Sequence, residues 1–477
     1  MTLEQKAGQV LLPFYTGLDE KSHAATVQRL HLAGSIIMGD NVPKTAEGQV
    51  DTAAMAAVAA RLKGSTQADG RTWPGLIGID QEGGLVARLR APLTEWPAPM
   101  SYGAAGNPAL AGETGKALAS ELGGLGFNVD FAPDMDVTAG PQDPTIGARS
   151  MSGNPDAAAG LGVAFSQGML AAGMLPTVKH FPGHGSVTVD SHENMPVQNA
   201  TLDQLRNRDW KPFQAAVGAG LPMIMTGHIA VPALEPGVPA SLSKQSYAAL
   251  RAMGFKGVAV TDALNMGAIQ KQFPGESAAP LALGAGADLL LMPGDVAQAH
   301  ASIITAVKAG TVPAARLDEA ATRVVTMLIW RARAGAPQSA APGSGSALSQ
   351  RTSAAALTVL AGPCHGPMVP GSVRVAGGSE QDRARFAAAA KAVGIGIGDG
   401  PLVRLIGYQD PPAAADVAVA LDAPWPLADS AAPAKVALYG RSQEAFNALL
   451  TVLAGKRTAP GKLPAAVGHY APGAGCG

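Results

Sequence analysis

The sequence predicts an α/β protein: an N-terminal (β/α)8 TIM barrel followed by a smaller α/β three-layer sandwich domain. Three observations carry that prediction. Between residues 9 and 294, eight short apolar runs alternate with helical segments, the pattern of parallel strands covered on both faces. Ionisable residues recur where these runs end, as expected when the carboxyl ends of barrel strands share one rim. A Pro/Gly/Ser/Ala stretch then precedes a second series of apolar runs, too few for another barrel. The boundaries read as 1–335 for the barrel, 336–350 for a linker and 351–477 for the second domain.

The eight strands are expected in order within QVLLPF (9–14), GSIIMGDN (34–41), GLIGID (75–80), NVDFAPDMDV (128–137), LPTVKHF (175–181), LPMIMTGH (221–228), GVAVTDAL (257–264) and ADLLLMPG (287–294). Between them, NPALAGETGKALASELGGL and NPDAAAGLGVAFSQGMLAAG begin on Asn-Pro and stop near glycine, the residue choices of helix ends. Asp80 closes the third run, Asp134 and Asp136 the fourth, Lys179 and His180 the fifth, His228 the sixth and Asp262 the seventh. All of these are therefore expected to face one pocket. Beyond APQSAAPGSGSALSQ, the runs ALTVL, SVRVAGG, VRLIGY, DVAVAL and KVALYG alternate with EQDRARFAAAAKAVG and SQEAFNALLTVLAG. Few ionisable residues close those strands, so the chemistry is expected in the barrel.

Composition narrows the partners. At 477 residues with 47% hydrophobic and 15% charged residues, the chain has the material for more than one buried core. Its net charge is −1, with no long Lys/Arg run, so neither nucleic acid nor an anionic membrane surface is an expected partner. No stretch reaches the roughly 20 apolar residues of a bilayer span, so none is expected. The two cysteines, Cys364 and Cys476, read either as separate thiols or as one disulfide of an exported protein. MTLEQKAGQVLLPF enters a patterned segment at once, which fits a leader trimmed upstream; export or the cell envelope is expected over the cytoplasm. Oligomeric state is left open.

The segment KHFPGHGSVTVDSHENMP (179–196) holds three of the nine histidines, and three chemistries compete for it. His180, His184, His192 and Asp190 are nominal zinc ligands. Metal-dependent barrel hydrolases commonly place a His-x-His after the first strand, whereas this one ends FYTG, so no metal is expected. A purely structural loop would use PGHG as a turn, with His184 hydrogen-bonded to backbone carbonyls. Proton transfer is the third. Asp190 lies two residues before His192, where a carboxylate can accept from one imidazole nitrogen, fix the tautomer and leave the other nitrogen to exchange protons. Asp262, kept ionised by Lys179 or Arg149, would be the nucleophile. That pairing is the two-step arrangement of retaining glycosidases, with histidine in place of the second carboxylic acid.

Seven ordered motifs, MTLEQKAGQVLL, IDQEGGLVARL, FAPDMDV, ARSMSGNP, KHFPGHGSVTVDSHENMP, MTGHIAVPAL and VTDALNMGAI, resemble those of the bacterial β-N-acetylglucosaminidases of glycoside hydrolase family 3. The resemblance implies a retaining exo-hydrolase that removes terminal β-linked N-acetylglucosamine, with peptidoglycan-derived muropeptides or chitooligosaccharides as substrates and no cofactor. It implies Asp262 as nucleophile, His192 as acid/base and Asp190 as its partner. Asp80, Arg88, Arg149, Lys179 and His180 match positions that bind the terminal sugar. Two departures stand out: Ser186 and Ala263 occupy positions that are acidic in many relatives. The second domain, down to APGKLPAAV, resembles the sandwich of longer members, where it can supply an acid/base glutamate that His192 makes unnecessary. Two other functions fit the residues: a phosphorylase using phosphate as acceptor, and a non-catalytic glycan-binding protein. The intact Asp262, Asp190 and His192 speak against the second.

Overall fold

The computed structural model describes residues 1–477 except 144, 274–276, 409, 412 and 477. Each of the eight apolar runs contains a strand: β1 (Leu11–Leu12), β2 (Gly34–Ile37), β3 (Leu76–Ile79), β4 (Val129–Asp130), β5 (Leu175–Phe181), β6 (Met223–Thr226), β7 (Val258–Thr261) and β8 (Leu290–Leu291). Strands β2 to β7 form one parallel sheet in sequence order. The ring closes through β8, which pairs with β1 in parallel and meets β7 at the Val260–Leu289 bridge. On the other side Ala33 and Ile36 donate to Leu11 and Pro13, tying β1 to β2.

Several strands are shorter than their apolar runs. In NVDFAPDMDV the regular strand ends after Asp130, and beyond Pro133, which has no N–H to donate, pairing with β5 continues only as the Asp134–Lys179 bridge. The chain turns inward there, carrying Asp134 and Asp136 into the interior. The expected helices form: Asn107 caps Pro108–Gly124 and Asn154 caps Pro155–Ala171, each with its side chain accepting first-turn N–H groups. These two helices pack side by side with glycines at the contact. A Cβ on Gly115 would lie 2.2 Å from Phe165 O, and one on Gly168 would lie 2.0 Å from Gly112 O.

The stretch 336–345 runs along the barrel surface, with Gln338 and Ala340 donating to Ala172 and Ser120. The helix Ser346–Ala356 starts inside the segment that composition marks as a linker. The second sheet comprises β9 (Thr358–Ala361), β10 (Ser372–Gly377), β11 (Gly396–Ile406), β12 (Val417–Ala420) and β13 (Ala434–Ala437), in the order β9-β13-β12-β11-β10. Only the β9–β13 pair is antiparallel. Along β12 the two faces differ. Val417 and Val419 join Phe386 and Phe446 of the covering helices, while Ala418 and Ala420 join Met100 and Ala104 of the barrel chain. Small residues on that face let the barrel approach. Cys364 and Cys476 form a disulfide. Among the described residues no helix is long and apolar enough to cross a membrane.

Candidate functional site

The carboxyl ends of the strands surround a cavity of about 410 Å³ lined by Asp80, Arg88, Arg149, Lys179, His180, His192 and Asp262, among others. Seven of the eight expected site residues thus meet in one place. The eighth, Asp190, stands directly behind His192, whose Nδ1 donates to it at 2.7 Å.

One end of the cavity is a charge lattice. Lys179 Nζ contacts Asp80 at 3.0 Å and Glu82 at 2.7 Å. Arg149 grips Glu82 with two bonds of 2.9 Å, and Arg88 reaches Asp80 at 3.3 Å. Burial pushes the Glu82 carboxyl up, but Arg149 and Lys179 outweigh it and hold the group well below the usual carboxylate range. Burial likewise opposes the Lys179 charge, and Asp80 with Glu82 more than restores it. These side chains are therefore fixed donors and acceptors at neutral pH, suited to reading sugar hydroxyls. Glu82 is the residue that sequence reasoning missed; its only signal was a place inside IDQEGGLVARL.

Asp262 lines the same cavity. Its N–H donates to Thr226 O at 2.9 Å and its carboxylate accepts from Ala263 N at 2.8 Å. Burial would raise its pKa; the opposing fields of His228 and His180, with the Ala263 N–H, lower it to about 2. The carboxylate is ionised as expected, but the leading influences are these histidines, since Lys179 and Arg149 are engaged by Asp80 and Glu82. Asp190 is also held low: burial opposes, and the His192 N–H and ring prevail.

Three strand-end residues do not face the cavity. Asp134, Asp136 and His228 are all fully buried beneath it. His228 donates through Nε2 to Ala263 O at 2.8 Å and meets Ser241 through Nδ1 at 2.7 Å, so it positions the segment after Asp262. Asp136 accepts from His180 Nδ1 at 2.7 Å and from His184 N–H at 2.6 Å. The expectation for His184 also needs correcting: its Nε2 meets the Ser191 hydroxyl at 3.0 Å, not a carbonyl. A side-chain partner seven residues on was not visible from a turn motif.

The nominal zinc set does not converge. His180, His184 and His192 each bond a different group, namely Asp136, Ser191 and Asp190. Among the described residues, the potential ligands that do cluster are Asp134, Asp136 and His180. Asp136 is already saturated by His180 and His184, and the Arg149 guanidinium stands 3.6 Å from Asp134. That geometry is a hydrogen-bonded brace for His180, and a cation there would meet a fixed positive charge.

Comparison with known proteins agrees with this geometry. The model of the glycosyl hydrolase family 3 N-terminal domain matches residues 2–327. The chain belongs to glycosyl hydrolase family 3. Within it, the chain is 36% identical over 285 residues to beta-hexosaminidase A of Pseudoalteromonas piscicida, covering 56% of this chain and 46% of that protein. It is 32% identical over 332 residues to beta-hexosaminidase LpqI of Mycobacterium tuberculosis, covering 68% of this chain and 81% of that one. A family 3 beta-N-acetylglucosaminidase from Paenibacillus sp. str. FPU-7 superposes with a TM-score of 0.87 at 27% identity, over 97% of this chain and 98% of the other. The family 3 likeness therefore extends through both sheets.

Proposed function

We propose that this glycoside hydrolase removes terminal non-reducing β-linked N-acetylglucosamine with retention of configuration, acting on peptidoglycan-derived muropeptides or chitooligosaccharides. The observation that carries the proposal is the pairing, in one cavity, of an ionised Asp262 with a His192 already bonded to Asp190. In the first step an Asp262 oxygen attacks the anomeric carbon while His192 gives its Nε2 proton to the departing glycosidic oxygen. The bond to the aglycone breaks and a glycosyl ester forms. In the second, His192 takes a proton from water, whose oxygen displaces Asp262 and yields the β-sugar. Asp190 orients the ring and balances the imidazolium.

Asp80, Arg88, Arg149, Lys179 and His180 would hold the sugar hydroxyls and acetamide. Met38, Met225, Met266 and Met292, also in the lining, offer apolar surface for the acetamide methyl and ring face. The beta-hexosaminidase names of the relatives support the substrate class. The disulfide fits an oxidising compartment.

Proton NMR of the first-formed product tests the mechanism. The β-anomer before mutarotation is expected, and the α-anomer would sink the retaining scheme. Running the reaction in phosphate separates the phosphorylase alternative: free sugar at an unchanged rate supports hydrolysis, whereas sugar 1-phosphate would replace water by phosphate in the second step.

A further inference from the structure

Within the loop that carries the dyad, burial alternates sharply. The Asp190 and His192 side chains are 37% and 63% exposed, whereas Ser191 between them is 2% exposed. Its hydroxyl lies 3.0 Å from His184 Nε2. His184 is itself anchored, its N–H donating to Asp136 Oδ1 at 2.6 Å, while Asp136 Oδ2 takes His180 Nδ1 at 2.7 Å. A single carboxylate under the floor thus fixes both a sugar-facing histidine and the support for the dyad loop. The loop has a second tether, Gly267 N–H to His192 O at 3.2 Å, on the segment after Asp262.

His184 Nδ1 is buried with no partner among the described residues. A proton there would be a buried N–H without an acceptor, so the ring carries its proton on Nε2 and donates it to Ser191. Burial, with His180 nearby, lowers His184 to about 4, which keeps the ring neutral at neutral pH. With its one N–H given to Ser191, the ring is placed as a support for the loop.

We propose that the His184–Ser191 hydrogen bond is a latch that sets His192 against the leaving-group oxygen, making Ser191 and His184 positioning residues for proton transfer. This rests on the reading of His192 as acid/base. The second step, in which His192 takes a proton from water, is common to all aglycones, so the latch separates substrates in the first step, where the departing oxygen needs a proton. A dinitrophenyl aglycone leaves readily without one, whereas an alkyl aglycone does not.

The test compares kcat/KM, which reports the step that releases the aglycone, for the full chain on dinitrophenyl and alkyl N-acetylglucosaminides. In Ser191→Ala kcat/KM for the alkyl substrate is expected to fall about tenfold more than for the dinitrophenyl substrate, a part of the 10²–10⁴ that general acid catalysis supplies. Ser191→Thr, which keeps the hydroxyl, should recover the parent's aglycone ratio. His184→Leu, which removes the donor from the other side, should give the same split as Ser191→Ala and covers the case where that variant does not fold. Losses equal on both substrates, or no loss, overturn the latch. His192→Ala, run in parallel, tells the two ideas apart. If it shows the aglycone split and Ser191→Ala does not, only the latch fails; if it shows none, the acid/base assignment and the latch fail together.

Discussion

Glu82 has no exposure to solvent, yet two cations depend on it. Replacing it by glutamine leaves Arg149 and Lys179 buried against a neutral amide, a loss of about 3–5 kcal/mol when a buried pair is broken on one side. Because the folded-state pKa lies below the unfolded value near 4.5, the carboxylate's contribution is fully present above that value and lost as pH falls through the folded pKa. Glu82→Gln is thus expected to be much less stable than the parent at neutral pH, with the gap narrowing below about pH 4; denaturant titrations at several pH values measure it. Asp80 was singled out from the sequence and Glu82, two residues on, was not. Which of the two would be enclosed was not legible, since Arg149 and Lys179 come from distant strand ends. The Asp190–His192 hydrogen bond was legible from its two-residue spacing, and the place of Asp262 in the same cavity from its position at a strand end.

Among the elements around the cavity, the loop bearing Arg149 is held from outside the barrel. Tyr408, just after β11, donates its hydroxyl to Asp143 O at 2.8 Å, and its ring lies against Gly147. Gly147 has φ 48°, a conformation that disfavours side chains. Tyr408→Phe keeps the packing and removes the bond, so a cost of about 1 kcal/mol is expected. It should appear as a raised KM more than a lowered kcat if Arg149, which lines the cavity, holds the sugar as proposed. Steady-state kinetics with a thermal melt check both. Sequence patterning placed the β11 run and the ARSMSGNP motif correctly but could not join them; such contacts between distant segments leave no periodic trace.

At the scale of the whole molecule, the order of eight barrel strands followed from alternating apolar runs, a signal that each buried strand carries by itself. The docking of the second sheet did not, because the alternation of valine and alanine in DVAVAL records two buried faces without saying what covers each. The Cys364–Cys476 disulfide spans a sequence separation of 112 and ties the chain terminus to the start of the second sheet. Reduction is expected to cost roughly 2–4 kcal/mol. The loss should be seen as a lower melting temperature with dithiothreitol, with activity at low temperature retained because the site lies in the barrel. In the proposed mechanism Asp262 forms a covalent bond to the sugar. Trapping with a fluorosugar that glycosylates faster than it is released, followed by peptide mass spectrometry, tests it most directly. One glycosyl ester on the peptide containing Asp262, absent in Asp262→Ala, is the expected result; a label on another residue, or turnover surviving in Asp262→Ala, would contradict it.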